Sequence, residues 1–182
     1  MDNQFGFINP ASERAPTRVP LFRLRRVPTR IPLFRLRRMV GPTVVEHFYT
    51  SSVEEHREAM YHHGYELEGV IGLIYSGAAP GTDPLVRLWH QPSRRHSLTA
   101  HPENLAAAVA TGTYQHEGVA GYVFNTPNRP GTIPLYALVS RATNAHLYTT
   151  EPAERDAALA AGYEALGIAC WVYPVQLEGN GE

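Results

Sequence analysis

The 182-residue sequence contains no lysine and only one cysteine, Cys170. A single cysteine excludes a disulfide within the chain and leaves no cysteine cluster for a zinc or iron–sulfur centre. No apolar stretch approaches the roughly 20 residues that cross a membrane, and the first residues lack the charged start and apolar core of a signal peptide. We therefore expect a protein without a membrane span that is cytoplasmic or secreted without a classical signal peptide.

All 16 basic residues are arginines, and they are distributed unevenly. Residues 1–38 contain nine arginines and two acids, whereas residues 39–182 contain seven arginines and fifteen acids. The first interpretation is pairing between these two parts of the chain, because the arginines lie within apolar strand patterns rather than on a polar tail. The alternative is an anionic partner, either nucleic acid or an acidic polysaccharide, of which nucleic acid is not the expected one.

Three similar segments follow one another and organise most of the chain. Each begins with an apolar Pro-Leu stretch, passes through a second stretch ending in His-x-x-Thr, and continues with a helix-forming stretch and an alternating apolar one. The histidines His47, His96 and His146 are 49 and 50 residues apart, a spacing that indicates true repetition. The sequence therefore predicts three β-β-α-β repeats.

The repeats and the 15 glycines and 15 prolines predict one turn-rich domain over residues 1–182, mainly β with short helices (α+β). Because a single unit cannot bury its apolar face alone, we expect the three to close into a pseudo-threefold, β-trefoil-like body. The predicted divisions are residues 1–31 (an N-terminal closing strand at residues 6–10 and a duplicated arginine-rich strand), 32–83 (repeat 1), 84–133 (repeat 2) and 134–182 (repeat 3 and tail).

One stretch occurs twice in succession, as APTRVPLFRLRR (residues 15–26) and VPTRIPLFRLRR (residues 27–38). The repeat needs only one copy. The other copy is interpreted as an added edge strand, a bulged-out loop, a partner-binding arm or a tolerated genetic duplication, and these alternatives stay open.

The motifs PLFRLRR, EHFYTSS, AERDAALAAGY and EGVAGYVF resemble a repeat family of unassigned function found in bacterial and fungal proteins. Its pattern is close to PLYRL…HFYT…AERDAAIAAGY…EGVAGYVY, and the resemblance covers about residues 32–175. Members are often secreted or joined to cell-wall-directed enzymes, which implies binding to surfaces or polysaccharides by association.

The chain departs from this family pattern at a few positions. Glu46, Arg95 and Ala145 stand where the pattern has an acid before the histidine. Ala137 and Leu166 stand where the third unit should carry Arg and Glu. The departures imply a third unit that is deficient in binding.

Nine recurring polar and aromatic residues are the candidate ligand-binding residues. An aromatic ring can cover the apolar face of a sugar while Arg, His and Glu bond its hydroxyls. The competing interpretation is structural, with a half-buried Arg–Glu salt bridge and a His bonded to a turn carbonyl in each unit. The nine are Arg35, His47, Tyr49, Glu68, Arg87, His96, Glu117, His146 and Tyr148.

These features favour a non-enzymatic, lectin-like carbohydrate-binding protein with one weak glycan site per repeat, because copies of a weak site gain avidity on a polymer. No catalytic motif of the GxSxG, HExxH, Walker or GxGxxG type is present. One alternative is an assembly module that docks a partner or a second copy through the arginine-rich strand. A second is a polysaccharide hydrolase that uses carboxylates such as Glu66 and Glu68. The expected partners are glycans or cell-wall polysaccharide, a homo-oligomer stays open, and no cofactor or metal is expected.

Overall fold

The structure, a computed structural model, describes residues 27–42 and 44–175. The predicted closing strand at residues 6–10 and the first copy of the duplication at residues 15–26 lie outside this part of the chain, whereas the second copy contributes most of the first described strand. The described elements are β1 (Arg30–Met39), β2 (Val45–Thr50), α1 (Val53–His63), β3 (Glu66–Tyr75), β4 (Asp83–His90), β5 (Arg95–Thr99), α2 (Pro102–Ala110), β6 (Tyr114–Val123), β7 (Ile133–Ser140), β8 (Ala145–Thr149), α3 (Pro152–Ala160) and β9 (Glu164–Val172).

The described elements follow the order β-β-α-β three times, and we call these segments the first, second and third unit. In each unit the first strand lies between the other two, and all pairing is antiparallel. Leucine, β-branched and aromatic residues recur in these strands and supply their buried positions, as is typical of sheets with one buried face. None of the helices in the described residues has the length and apolar character that a membrane crossing requires.

A β-bulge interrupts the pairing of each closing strand with the first strand of its unit. The register passes from Arg35↔Gly69 to Leu36↔Leu67, so that Glu68 is the extra residue on the bulged strand. Gly69 has φ 143, a conformation that side-chain-bearing residues rarely adopt. The same shift makes Glu117 and Leu166 the extra residues in the other two units. The bulge therefore selects which residue of the closing strand faces the middle of the first strand.

The prediction of a closed, β-trefoil-like body is wrong. The strands form two open antiparallel sheets, one of six strands in the order β2-β1-β3-β6-β4-β5 and one of three in the order β8-β7-β9. The first two units merge because β3 pairs with β6, at Tyr75↔Tyr122. In backbone pairing, the described residues of the third unit meet the other two units at the isolated bridges Leu73↔Tyr173 and Phe124↔Trp171. Closing strands that meet at single residue pairs do not form the continuous ladder that a closed barrel needs.

The main apolar core takes equivalent residues from all three units. The first strand of each unit contributes one leucine that is 0% exposed, and all three belong to one cluster: Leu33, Leu85 and Leu135. Tyr49 and Tyr148 lie in the same cluster, and their hydroxyls are satisfied by backbone groups of neighbouring units. The Tyr49 hydroxyl accepts from the Tyr148 N–H at 2.8 Å, and the Tyr148 hydroxyl accepts from the Leu98 N–H at 2.8 Å. Units are thus joined by buried hydrogen bonds as well as by apolar packing.

Candidate functional site

The first cluster of charged residues, which we call the first niche, lies between the first and third units. It consists of Arg35, His47 and Glu68 together with Glu154 from the first turn of α3. The Arg35 guanidinium donates to both carboxylate oxygens of Glu154 at 2.8 Å each, and its Nε lies 2.7 Å from Glu68. His47 Nε2 lies 3.5 Å from Glu68, and burial lowers the pKa of His47 below its ordinary value. This arrangement ties the two units together through an arginine that is only 11% exposed.

The second niche repeats this arrangement between the second and first units. Arg87 donates to Glu55 of α1 at 2.5 and 2.9 Å and to Glu117 of its own unit at 2.9 Å. It also donates to the backbone carbonyl of Tyr49 at 3.1 Å. Burial by itself would raise the pKa values of Glu55 and Glu117, but hydrogen bonds outweigh it and lower both, with Arg87 contributing to each. Both carboxylates are therefore held in their charged form.

His96 lies at the centre of the second niche, between two carboxylates. Its Nδ1 lies 3.2 Å from Glu46 and its Nε2 lies 3.5 Å from Glu117. Burial would lower the pKa of His96, but the hydrogen bonds to Glu117 and Glu46 outweigh it and raise the pKa. Glu46 is 1% exposed and also accepts from Arg38 Nε at 2.8 Å. The second niche thus has one more carboxylate than the first, and it is supplied by the residue before His47.

A cavity of about 510 Å³, which we call the cleft, opens at the second niche. Trp89 and Tyr65 contribute aromatic surface, and the ring centroids of Trp89 and His96 are 4.7 Å apart. Exposed polar groups of Gln115, Glu117 and other residues face the same space. This volume is in the range of small-molecule sites. The remaining lining residues are Arg38, Phe48, Glu55, Glu58, Ala59, His63 and Arg87.

The third niche, between the third and second units, lacks all three charged partners. Ala137 replaces the arginine, Leu166 replaces the glutamate of the bulge, and Asn104 stands at the helix position that Glu55 and Glu154 occupy in the other units. These three residues line a cavity of about 740 Å³ together with His146. Neither ring nitrogen of His146 has a hydrogen-bond partner in the described residues, and burial lowers its pKa to about 4. His146 is therefore neutral at physiological pH.

A protein-family profile matches residues 35–173, which include all three niches. Its description is a domain of unknown function (DUF5648). The chain belongs to this family. No curated protein and no solved structure matches the chain. Membership of the DUF5648 family assigns no activity, so the function has to be argued from the niches themselves.

The structure divides the nine predicted site residues of this DUF5648 chain into four groups. It brings together Arg35, His47 and Glu68 in the first niche, and Arg87, His96 and Glu117 in the second. It leaves His146 alone in the third. Tyr49 and Tyr148 are 0% and 2% exposed, so these rings lie in the core and offer no face to a sugar.

Sequence reasoning missed the residues that make the second niche different from the others. Trp89 stands where the other units have Arg37 and Val139, and Gln115 stands where they have glutamate. A search for residues that recur in every unit cannot find such positions, because their residue differs from one unit to the next. The available signal was the opposite one, a position at which one unit departs from the pattern that the other two follow.

Proposed function

We propose that the protein is a non-enzymatic carbohydrate-binding protein whose principal site is the cleft. The observation that carries the proposal is that the cleft combines the half-buried indole of Trp89 with the polar groups of Gln115 and Glu117 in about 510 Å³. A sugar ring needs both kinds of surface, an aromatic face for its apolar side and polar groups for its hydroxyls. Because the three niches differ in composition, we propose one principal site rather than three equal ones.

The charge state of the cleft favours binding over hydrolysis. A glycoside hydrolase of the usual kind needs one carboxyl group that stays protonated near neutral pH to act as the general acid. In the second niche the pKa values of Glu46, Glu55 and Glu117 are all lowered, because hydrogen bonds from cationic groups outweigh the effect of burial. Carboxylates that are held ionised accept hydrogen bonds from hydroxyl groups, which suits a lectin.

The test is binding of the wild-type protein and two variants to a glycan array, followed by titration calorimetry with the best glycans. Trp89→Ala removes the aromatic platform and Gln115→Ala removes one polar contact. Tyr61→Ala is the matched control, because Tyr61 is an aromatic residue that is 79% exposed and does not line the cleft. We expect Trp89→Ala to weaken binding about tenfold or more, which corresponds to about 1.4 kcal/mol.

Gln115→Ala should weaken binding less than Trp89→Ala does. Because this substitution should leave the folded state intact, any weaker binding reports a lost contact with the glycan and not a lost fold. Tyr61→Ala should bind as the wild type does. Equal affinity of the wild type and both cleft variants would remove the cleft as the binding site. Turnover of any bound polysaccharide would instead favour the hydrolase.

The alternative of an assembly module finds less support in the described strands. Docking by edge pairing needs an accessible strand edge. β1, which carries the second copy of the arginine-rich strand, pairs with β2 on one side and β3 on the other, so it offers no free edge. Among the strands that end the sheets, the residues of β2, β5 and β8 are buried or half-buried, whereas the first five residues of β9 are exposed. The first copy of the arginine-rich strand, on which this alternative depends, lies outside the described residues. Because the residues that line the cleft lie between Arg38 and Glu117, deletion of residues 15–26 should leave glycan binding unchanged in a lectin, whereas an assembly module should lose its oligomer.

A further inference from the structure

A second cavity adjoins the cleft, and three arginines are among its lining residues. It measures about 620 Å³, and Arg38, Arg94, Arg95 and His63 line it. Arg38 and His63 also line the cleft, so the two cavities share a wall. No acidic side chain is among its described lining residues, which otherwise are Met39, Val40, Gly41, Gly64 and Ser93. We call this space the arginine pocket.

Arg95 is the informative residue of the arginine pocket. It is 8% exposed, and its Nε makes no hydrogen bond within the described part of the chain. Its guanidinium donates at 3.1 Å to the carbonyl of Arg94, and no carboxylate of the described residues lies within salt-bridge distance. Burying a cation without an anionic partner is unfavourable in proteins. A group that supplies negative charge to this pocket would remove that penalty.

The neighbouring carboxylate does not fill this role. Glu46 already accepts from Arg38 at 2.8 Å and lies 3.2 Å from His96, so both of its oxygens are engaged. Arg95 occupies the same repeat position as Glu46, directly before the histidine, and so brings the opposite charge to a position that is also buried. Arg94 has φ 56, in the left-handed region, and Asn144 at the equivalent position of the third unit has φ 54, so this conformation belongs to the turn of the repeat.

We infer that the arginine pocket is an anion site and that the saccharide bound in the cleft carries an acidic group, a carboxylate or a sulfate ester. Guanidinium groups bind both oxyanions through paired, charge-assisted hydrogen bonds. A sugar ring on Trp89 has the arginine pocket beside it across the wall formed by Arg38 and His63. The statement about the saccharide rests on the proposed function, whereas the anion site stands without it.

The first experiment uses sodium sulfate as the probe and records the thermal-unfolding midpoint of the full chain at increasing concentration. Sulfate stabilises proteins in general, so the quantity of interest is the part that depends on the pocket. The variants are Arg94→Ala and Arg95→Met, and Arg57→Ala is the control, since Arg57 is exposed and lies outside the pocket. We expect at least tenfold weaker sulfate binding in Arg94→Ala and an unchanged response in Arg57→Ala.

Arg95→Met distinguishes an anion site from a structural arginine. If Arg95 is part of an anion site, its buried charge destabilises the protein when no anion is bound. Arg95→Met should then raise the unfolding midpoint in sulfate-free buffer. It should also abolish the part of the sulfate response that depends on the pocket. A lower midpoint in sulfate-free buffer together with a retained response would overturn the anion site. So would equal responses of the wild type, Arg94→Ala and Arg57→Ala.

The second experiment compares acidic saccharides with neutral counterparts of the same skeleton by calorimetry. The probes are a galacturonic acid trimer with its fully methyl-esterified form, and N-acetylglucosamine 6-sulfate with N-acetylglucosamine. We expect the acidic member of at least one pair to bind at least tenfold more tightly, and this preference to disappear in Arg94→Ala. Equal binding of the neutral and acidic members through Trp89 would overturn the inference that the saccharide is acidic, and it would leave the proposed function standing. Sulfate binding without binding of any saccharide would support the anion site and overturn the proposed carbohydrate-binding function.

Discussion

Replacing Arg87 by methionine tests whether the ion pairs of the niches stabilise the contact between units. Arg87 is 13% exposed and is bonded to Glu55, Glu117 and the Tyr49 carbonyl. Methionine keeps much of the aliphatic volume, which matters because the guanidinium carbon lies 4.6 Å from the Phe48 ring centroid. The variant therefore removes the charge and its hydrogen bonds while leaving most of the packing.

The expected loss can be worked out from exposure. Removing one partner of a fully buried ion pair destabilises proteins by about 3–5 kcal/mol. Glu55 is 38% exposed and Glu117 27%, so water can partly solvate the carboxylates that remain, and we expect a loss of about 2–3 kcal/mol. Arg141→Met is the matched control, because Arg141 Nε lies 2.8 Å from Glu164 but the two side chains are 66% and 57% exposed. The free energy of unfolding of Arg141→Met should fall by less than about 0.5 kcal/mol.

The assay is urea unfolding of both variants at pH 7 and at pH 4. The pKa values of Glu55 and Glu117 are lowered in the folded protein, so the stability they contribute is present above their unfolded pKa and is lost as the pH falls through the folded pKa. The gap between wild type and Arg87→Met should therefore be larger at pH 7 than at pH 4. Equal losses in Arg87→Met and Arg141→Met, or a gap that does not change with pH, would refute the reasoning.

Three further predictions concern the third niche and the core. Ala137→Arg alone should destabilise the protein, and adding Leu166→Glu and Asn104→Glu should restore stability. In a mutant cycle measured by urea unfolding, we expect a coupling energy of about 1–3 kcal/mol between these substitutions. Purely additive effects would contradict this prediction. The pKa of His146 is lowered from 6.5 to about 4, so neutral His146 favours the folded state above pH 6.5, and about 3 kcal/mol of stability is lost as the pH falls to 4. Between pH 6.5 and pH 4, the free energy of unfolding of His146→Leu should therefore fall less than that of the wild type, and equal falls in the two proteins would contradict this. Cys170 is 0% exposed and burial raises the pKa of its thiol to about 12, so a thiol reagent should label it in urea but not in the native protein; rapid native labelling would contradict its burial.

Recurrence in the sequence identified the Arg–Glu pairs of the first two niches, because both partners belong to one unit and repeat together. It did not identify Glu154, which pairs with Arg35 across 119 residues and comes from a different unit. The simultaneous loss of arginine, bulge glutamate and helix glutamate in the third niche was a usable signal, since residues that are lost together often contact each other. Nothing in the local pattern indicates that Arg95 is buried without an anion, because burial depends on what packs against it.

The sequence by itself determined the order of strands and helices and the residues that recur within each unit, because backbone preference and hydrophobic alternation act over neighbouring residues. Only the tertiary structure decided how the units join. Direct pairing at Tyr75 and Tyr122 merges two of them into an open six-stranded sheet, and the third meets them through single bridges. The cleft and the arginine pocket are consequences of that joining. Their walls come from two units at once, and long-range packing, which no local pattern encodes, sets the space between them.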